Sequence, residues 1–186
     1  MRNPSATGEL FGITLSKANK SAIILEAHKN GWQQMNKDGR YATVLVKDDQ
    51  ALKIFADSAY LEFLDELVLP SKNDLFPIIL EGPIIGRGLA AIFLERLEPL
   101  SLQDKKIADH LGILLDVATD EDVLDAEPFR VDAVRERMGQ NGLDTLAQIA
   151  DLVNRLGLRG DISTQNLMRR PNTNELVFTD PVQPEY

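Results

Sequence analysis

The sequence predicts an α+β fold, a small antiparallel sheet followed by a mostly helical part, on three observations. Before Pro99, short runs of β-branched and apolar residues alternate with turn residues: Tyr41 to Val46, Ala51 to Phe55, Pro77 to Leu80 and Leu89 to Leu94. From Leu102 onward apolar residues recur at helical steps, most clearly Leu143, Leu146, Ile149, Val153 and Leu156. Between Leu156 and Asp180 the chain changes to short strand-like pieces joined by polar loops.

A chain of 186 residues makes one ordinary domain or two small lobes, and 44% hydrophobic against 26% charged residues argues against wholesale disorder. No apolar run reaches the roughly 18 residues of a membrane helix, and MRNPSATGEL has no signal-peptide core. The expectation is a soluble, cytoplasmic protein with no membrane contact. A net charge of −9 argues against nucleic-acid binding, which needs clustered Lys and Arg. There is no cysteine, and His28 and His110 lie far apart, so carboxylates and Asn are the available metal ligands, which favours magnesium over zinc.

In chain order, residues 1 to 14 show no sustained period and read as a loose lead-in. Ser16 to His28 reads as a short helix ended by Asn30-Gly31. A possible strand at Trp32 to Met35, a turn at Lys37-Asp38-Gly39 and two strands around Asp48-Asp49 follow. Lys53 lies between Leu52 and Ile54 and must point opposite to them, either to solvent or into a polar cleft. Asp57 to Leu69 reads as a helix stopped by Pro70, with Glu62 and Glu66 sharing a face. Gly82, Gly86 and Gly88 lack the helix and Lys of a phosphate loop and read as a hairpin turn. Leu102 to Leu115 and Phe129 to Met138 read as helices around the acidic stretch 120–127, a solvated face or linker, with Gly139 to Gly142 as a terminator.

The last loop carries the chemistry. Asp161 and Asn166 stand five positions apart, and Asp180 follows an apolar strand. One positioned base and two hard oxygen ligands are the least needed to handle a metal-bound nucleotide phosphate. This order, D-x-x-x-x-N and then a second Asp, resembles the catalytic loop and metal-binding Asp of the protein-kinase-like superfamily, and Ala51-Leu52-Lys53 resembles its lysine strand. The resemblance spans roughly residues 37 to 181. It implies ATP and Mg2+ as cofactors, Asp161 as base, Asn166 and Asp180 as metal ligands, and Lys53 on the phosphates. Glu62, or else Glu66, would pair with Lys53. Gly39 would sit in a degenerate glycine-rich loop. Val44, Ala51 and Met168 would enclose the adenine, and main-chain groups of Glu95 and Leu97 would bind its edge.

The resemblance divides the chain into an extension (1–30), an N-lobe (31–98) and a reduced helical C-lobe (99–186). It departs from the family at Arg159-Gly160-Asp161, where protein kinases have His-Arg-Asp and aminoglycoside-phosphotransferase-like kinases have Gly before the Asp. Pro181 follows Asp180 where Phe-Gly is usual, and no activation segment is recognisable. The implied function is an ATP- and Mg-dependent phosphotransferase, a protein Ser/Thr kinase with a protein substrate or partner. The alternatives are a catalytically inactive binding module and a small-molecule phosphotransferase.

Overall fold

The computed structural model describes residues 9–15, 17, 19–35, 42–86, 88–118 and 128–185. They form two compact units, Met1–Asp57 with Ile78–Arg96, and Ser58–Pro77 with Leu97–Tyr186. Gly39 and the acidic stretch 120–127 lie outside the described residues. No helix among the described residues is long and apolar enough to cross a membrane.

The first unit holds β1 (Glu9–Leu10), β2 (Ile13–Thr14), α1 (Lys20–Lys29), β3 (Gln33–Gln34), β4 (Ala42–Lys47), β5 (Gln50–Phe55), β6 (Ile79–Ile85) and β7 (Ala90–Glu95). Strands β3 to β7 make one antiparallel sheet in the order β3-β4-β5-β7-β6. The β4–β5 hairpin closes through Asp48, whose φ of 52° is a left-handed conformation that Asp tolerates in tight turns. Gly86 and Gly88 fall at the β6–β7 turn, as the sequence implied, with the Gly86 amide donating to the Leu89 carbonyl at 2.8 Å; Gly82 instead lies within β6, where the register with β7 shifts.

From Glu9 onward the lead-in is not loose. Leu10, Leu15, Ile23 and Ala27 are buried with Trp32, Leu45, Leu52, Ile54 and Ala91 in a single core. Phe11, Trp32 and Phe93 close it as an aromatic triad with centroids 5.6 to 6.4 Å apart. The described residues 9–15 and α1 therefore pack on one face of the sheet. Helix α1 starts four residues later than the pattern suggested because Asn19 caps it, its side chain accepting from the Ala22 amide at 2.9 Å.

The second unit begins with α2 (Ser58–Phe63), which widens into a π turn over Leu64–Val68. It continues with α3 (Leu102–Ala118) and α4 (Pro128–Leu156), which pack together. Gly139, at φ 69° and ψ −173°, breaks the helical backbone as the sequence implied, and a second helical stretch follows it directly, so α4 is two helices joined at a kink. Four short strands end the unit: β8 (Leu158–Gly160), β9 (Leu167–Arg169), β10 (Leu176–Phe178) and β11 (Val182–Pro184). They pair antiparallel as β8–β11 and β9–β10. The observed fold class is thus the α+β class expected, an antiparallel sheet and a mostly helical part.

Candidate active site

Helix α4 delivers the chain to the loop through Gly157, whose φ of 62° ends the helix in the left-handed conformation that glycine adopts freely. Strand β8 then pairs with β11, setting Arg159 opposite Gln183 and Gly160 opposite Val182. The Asp161 amide donates to the Pro181 carbonyl at 2.8 Å, extending this ladder to the Asp itself. Ser163 opens a turn that accepts from the Asn166 and Leu167 amides at 3.1 and 3.0 Å. Across that turn the Asn166 side chain donates to the Asp161 carbonyl at 2.8 Å. The Thr179 amide donates to the Asn166 carbonyl at 2.9 Å, so Asp180 leaves the β9–β10 hairpin beside Asn166. Asp161, Asn166 and Asp180 are gathered into one loop cluster by main-chain bonds.

A second layer of contacts holds this cluster from outside. The Phe178 amide donates to Leu75 at 2.9 Å, and Leu75 belongs to a loop pinned by Asn73. Asn73 donates to Thr145 Oγ1 at 2.7 Å and accepts from the Leu75 amide, while the fully buried Thr145 donates to the Asn141 carbonyl. The Arg169 guanidinium pairs with Glu98 at 2.7 Å, and the Glu98 and Arg169 main chains exchange two bonds of 2.8 Å. Leu97 and Met168 flank that bridge.

The glycine before Asp161 has a steric reason. A Cβ at Gly160 would lie 2.5 Å from Leu115 of α3, and one at Gly112 would lie 2.9 Å from the Ile162 carbonyl oxygen. Helix α3 therefore rests directly on the loop, and no side chain fits between them. Beside this contact is a cavity of about 130 Å3 lined by Gly112, Leu115, Asp116, Arg159, Gly160, Asp161, Ile162 and Gln183.

Burial raises the Asp161 carboxyl above the ordinary aspartate range. The Asn166 hydrogen bond opposes that shift, the Asp180 charge adds to it and Arg159 opposes it. Tyr60, fully buried on α2, has its hydroxyl pushed well up, first by burial and then by the charge of Asp180. The sequence shows Tyr60 only as part of an apolar stripe, because nothing in a helical period marks a hydroxyl facing an acid far along the chain.

Magnesium fits the donor set. The Asn166 amide nitrogen is committed to the Asp161 carbonyl, which leaves its Oδ1 and the Asp180 carboxylate as hard oxygen donors. The described residues contain no group of three or more His, Cys, Asp or Glu able to hold a metal unaided. Two protein oxygens leave positions for water and phosphate, the usual manner of holding Mg2+.

In the first unit Lys53 is buried, only 6% exposed, so the solvent-facing alternative does not hold. It stands opposite Val44 on β4 and Ile92 on β7, on the sheet face away from the Leu52–Ile54 core. Ala51 lies two residues along on the same face, and the Lys53 ammonium is 5.9 Å from the Phe55 ring centroid. The Glu95 amide donates to Ile78 at 3.0 Å, and the Glu95 side chain accepts from the Ile78 amide at 2.9 Å. Of the two helix carboxylates, Glu66 pairs with Arg155 of α4 at 3.1 Å and lies in the π turn, whereas Glu62 lies in the α-helical part.

No family profile matches the sequence, and no curated protein matches it. Among solved structures it is similar to WbdD, at 14% identity and a TM-score of 0.39 over 83% of this chain and 33% of that one. It is also similar to the choline kinase LicA from Streptococcus pneumoniae, at 13% identity and a TM-score of 0.39 over 88% and 70%. An aminoglycoside phosphotransferase in complex with AMP-PNP and hygromycin B matches at 16% identity and a TM-score of 0.30 over 56% and 40%. The chain spans about a third of the length of WbdD.

Proposed function

We propose that this chain is an ATP- and Mg2+-dependent phosphotransferase of kinase-like fold that acts on a hydroxyl acceptor. The observation that carries the reading is the loop cluster, in which paired hairpins bring Asp161, Asn166 and Asp180 together from positions up to nineteen residues apart. Asp161 orients the acceptor hydroxyl and takes its proton, a task helped by a carboxyl already raised by burial. Asn166 and Asp180 hold magnesium, which supplies charge neutralisation on the phosphates when bound. Lys53 contacts the phosphates, as the resemblance of Ala51-Leu52-Lys53 to the lysine strand implies. The sequence resemblance assigns the base to Val44, Ala51 and Met168 and its edge to main-chain groups of Glu95 and Leu97. It gives Lys53 a helix carboxylate, Glu62 or Glu66, of which Glu66 already pairs with Arg155. Protein Ser or Thr is the acceptor that the sequence resemblance implies.

Thermal denaturation with and without ATP and magnesium tests the reading. Nucleotide at 100 times its dissociation constant stabilises by about 2.7 kcal/mol, and the absence of any shift counts against nucleotide use altogether. Transfer of labelled γ-phosphate by wild type and Asp161→Asn then separates enzyme from binding module. Loss of the base lowers the rate by at least about 10²-fold. A nucleotide-dependent shift with no transfer by wild type supports the module.

A further inference from the structure

The cavity beside Asp161 has a lining of definite chemistry. Arg159 only donates hydrogen bonds, Asp116 and Asp161 accept them when ionised, and Gln183 does both. Arg159 and Gln183 are directly opposed across the β8–β11 ladder, so the two project from the same face. No aromatic ring lines the cavity, which argues against a quaternary ammonium held by cation–π contact. At about 130 Å3 it is below the 300 Å3 or so at which drug-sized ligands are enclosed. An extended peptide finds no apolar side-chain pocket there beyond Leu115 and Ile162, and one Ser side chain would leave most of the volume unfilled.

We propose that this cavity is the acceptor subsite of the enzyme and that it takes a small polyhydroxylated molecule, a single sugar ring or a shorter polyol. Each hydroxyl of such a molecule both donates and accepts, matching a wall of alternating Asp, Arg and Gln. The inference rests on the phosphotransferase reading above and names its acceptor. In the step, the acceptor oxygen forms a bond to the γ-phosphorus of a nucleoside triphosphate. The bond from that phosphorus to the bridging oxygen breaks, its electron pair leaves with the diphosphate, and the hydroxyl proton passes to Asp161. The close approach of α3 at Gly112 and Gly160 shapes the wall, so the departure from the protein-kinase motif and the narrow acceptor site share one cause.

The test uses the full chain with ATP and magnesium, following nucleoside diphosphate release with glycerol, ribose, glucose or myo-inositol added singly at millimolar concentration. Dephosphorylated casein is the protein comparison. The expected result is at least about a tenfold acceleration by one of the four, with the labelled γ-phosphate recovered on it. Gln183→Leu and Asp116→Asn, both near-isosteric, are expected to raise the KM for that acceptor at least about tenfold, the equivalent of 1.4 kcal/mol, with a smaller change in kcat. An ATP-dependent thermal shift with no acceleration by any of the four, or with the label only on casein or on the chain itself, overturns the subsite and leaves the phosphotransferase reading standing. Unchanged acceptor KM in both variants overturns it as well. With no ATP-dependent shift, both readings fall together.

Discussion

Gly160→Ala tests whether the catalytic loop is set by its contact with α3. The new Cβ would lie 2.5 Å from Leu115 Cδ2 and 2.9 Å from its Cγ, whereas carbon atoms rest at about 3.5 to 4.0 Å. Leu115 is 1% exposed, so either its side chain turns into the cavity it lines or the loop or the helix shifts. Overpacking of this kind costs about 1 to 3 kcal/mol. At about 2 to 4 °C per kcal/mol for a chain of this size, Tm should fall by about 2 to 12 °C. Gly160 is not in the left-handed region, so the cost is steric and relieved by making room. Leu115→Ala alone should cost about 2 to 5 kcal/mol as a cavity, but adding Gly160→Ala to it should cost little more. The cycle, read by thermal denaturation of all four proteins, should give a coupling of about 1 to 3 kcal/mol. An additive cycle, or a Gly160→Ala protein melting within a degree of wild type, would refute the contact as the reason for the glycine.

Three further outcomes follow from the same geometry. The Asp104 carboxylate is buried; burial alone would raise it, but hydrogen bonds from Arg137 at 2.7 Å and from Ser101, with the charges of Arg137 and Arg169, hold it below the usual range. Its stabilisation is therefore present above the ordinary value of 3.8 and lost as pH falls through the depressed one. Asp104→Asn should cost about 1 to 3 kcal/mol at neutral pH, and the difference should shrink in acid, as measured by urea titrations across pH. Asp161 has the opposite sign: its raised carboxyl favours the folded state when protonated, a contribution lost as pH climbs from about 3.8 through the folded value. Asp161→Asn should therefore gain on wild type in Tm over that interval in metal-free buffer, and a constant difference would contradict the shift. Thr145→Val removes the acceptor for Asn73 within the second unit and should cost about 1 to 3 kcal/mol by chemical denaturation. It should also slow phosphoryl transfer, because that loop braces the strand leading to Asp180.

What the sequence disclosed follows from the range of the signals. The β4–β5 hairpin was legible because an apolar β-branched run and an Asp-Asp turn are local, and the end of α1 because Asn30-Gly31 is a stop on its own. The grouping of Asp161, Asn166 and Asp180 was legible because one turn and one short hairpin set their spacing. The start of the chain was not: Leu10-Phe11-Gly12-Ile13-Thr14-Leu15 carries no sustained period, and the burial of Leu10 and Leu15 depends on a sheet formed much later. The break at Gly139 was legible because a glycine is a local stop, but the direct resumption of helix after it was not. Glu66 was indistinguishable from Glu62 until Arg155, remote in sequence, was seen to engage one of them.

The three-residue ladder between β8 and β11 joins the stretch after Asp180 to the loop that carries Asp161. With the Asp161 amide bonded to the Pro181 carbonyl, the pairing starts one residue past Asp180, so the two segments move as one piece and loosening either would loosen the other.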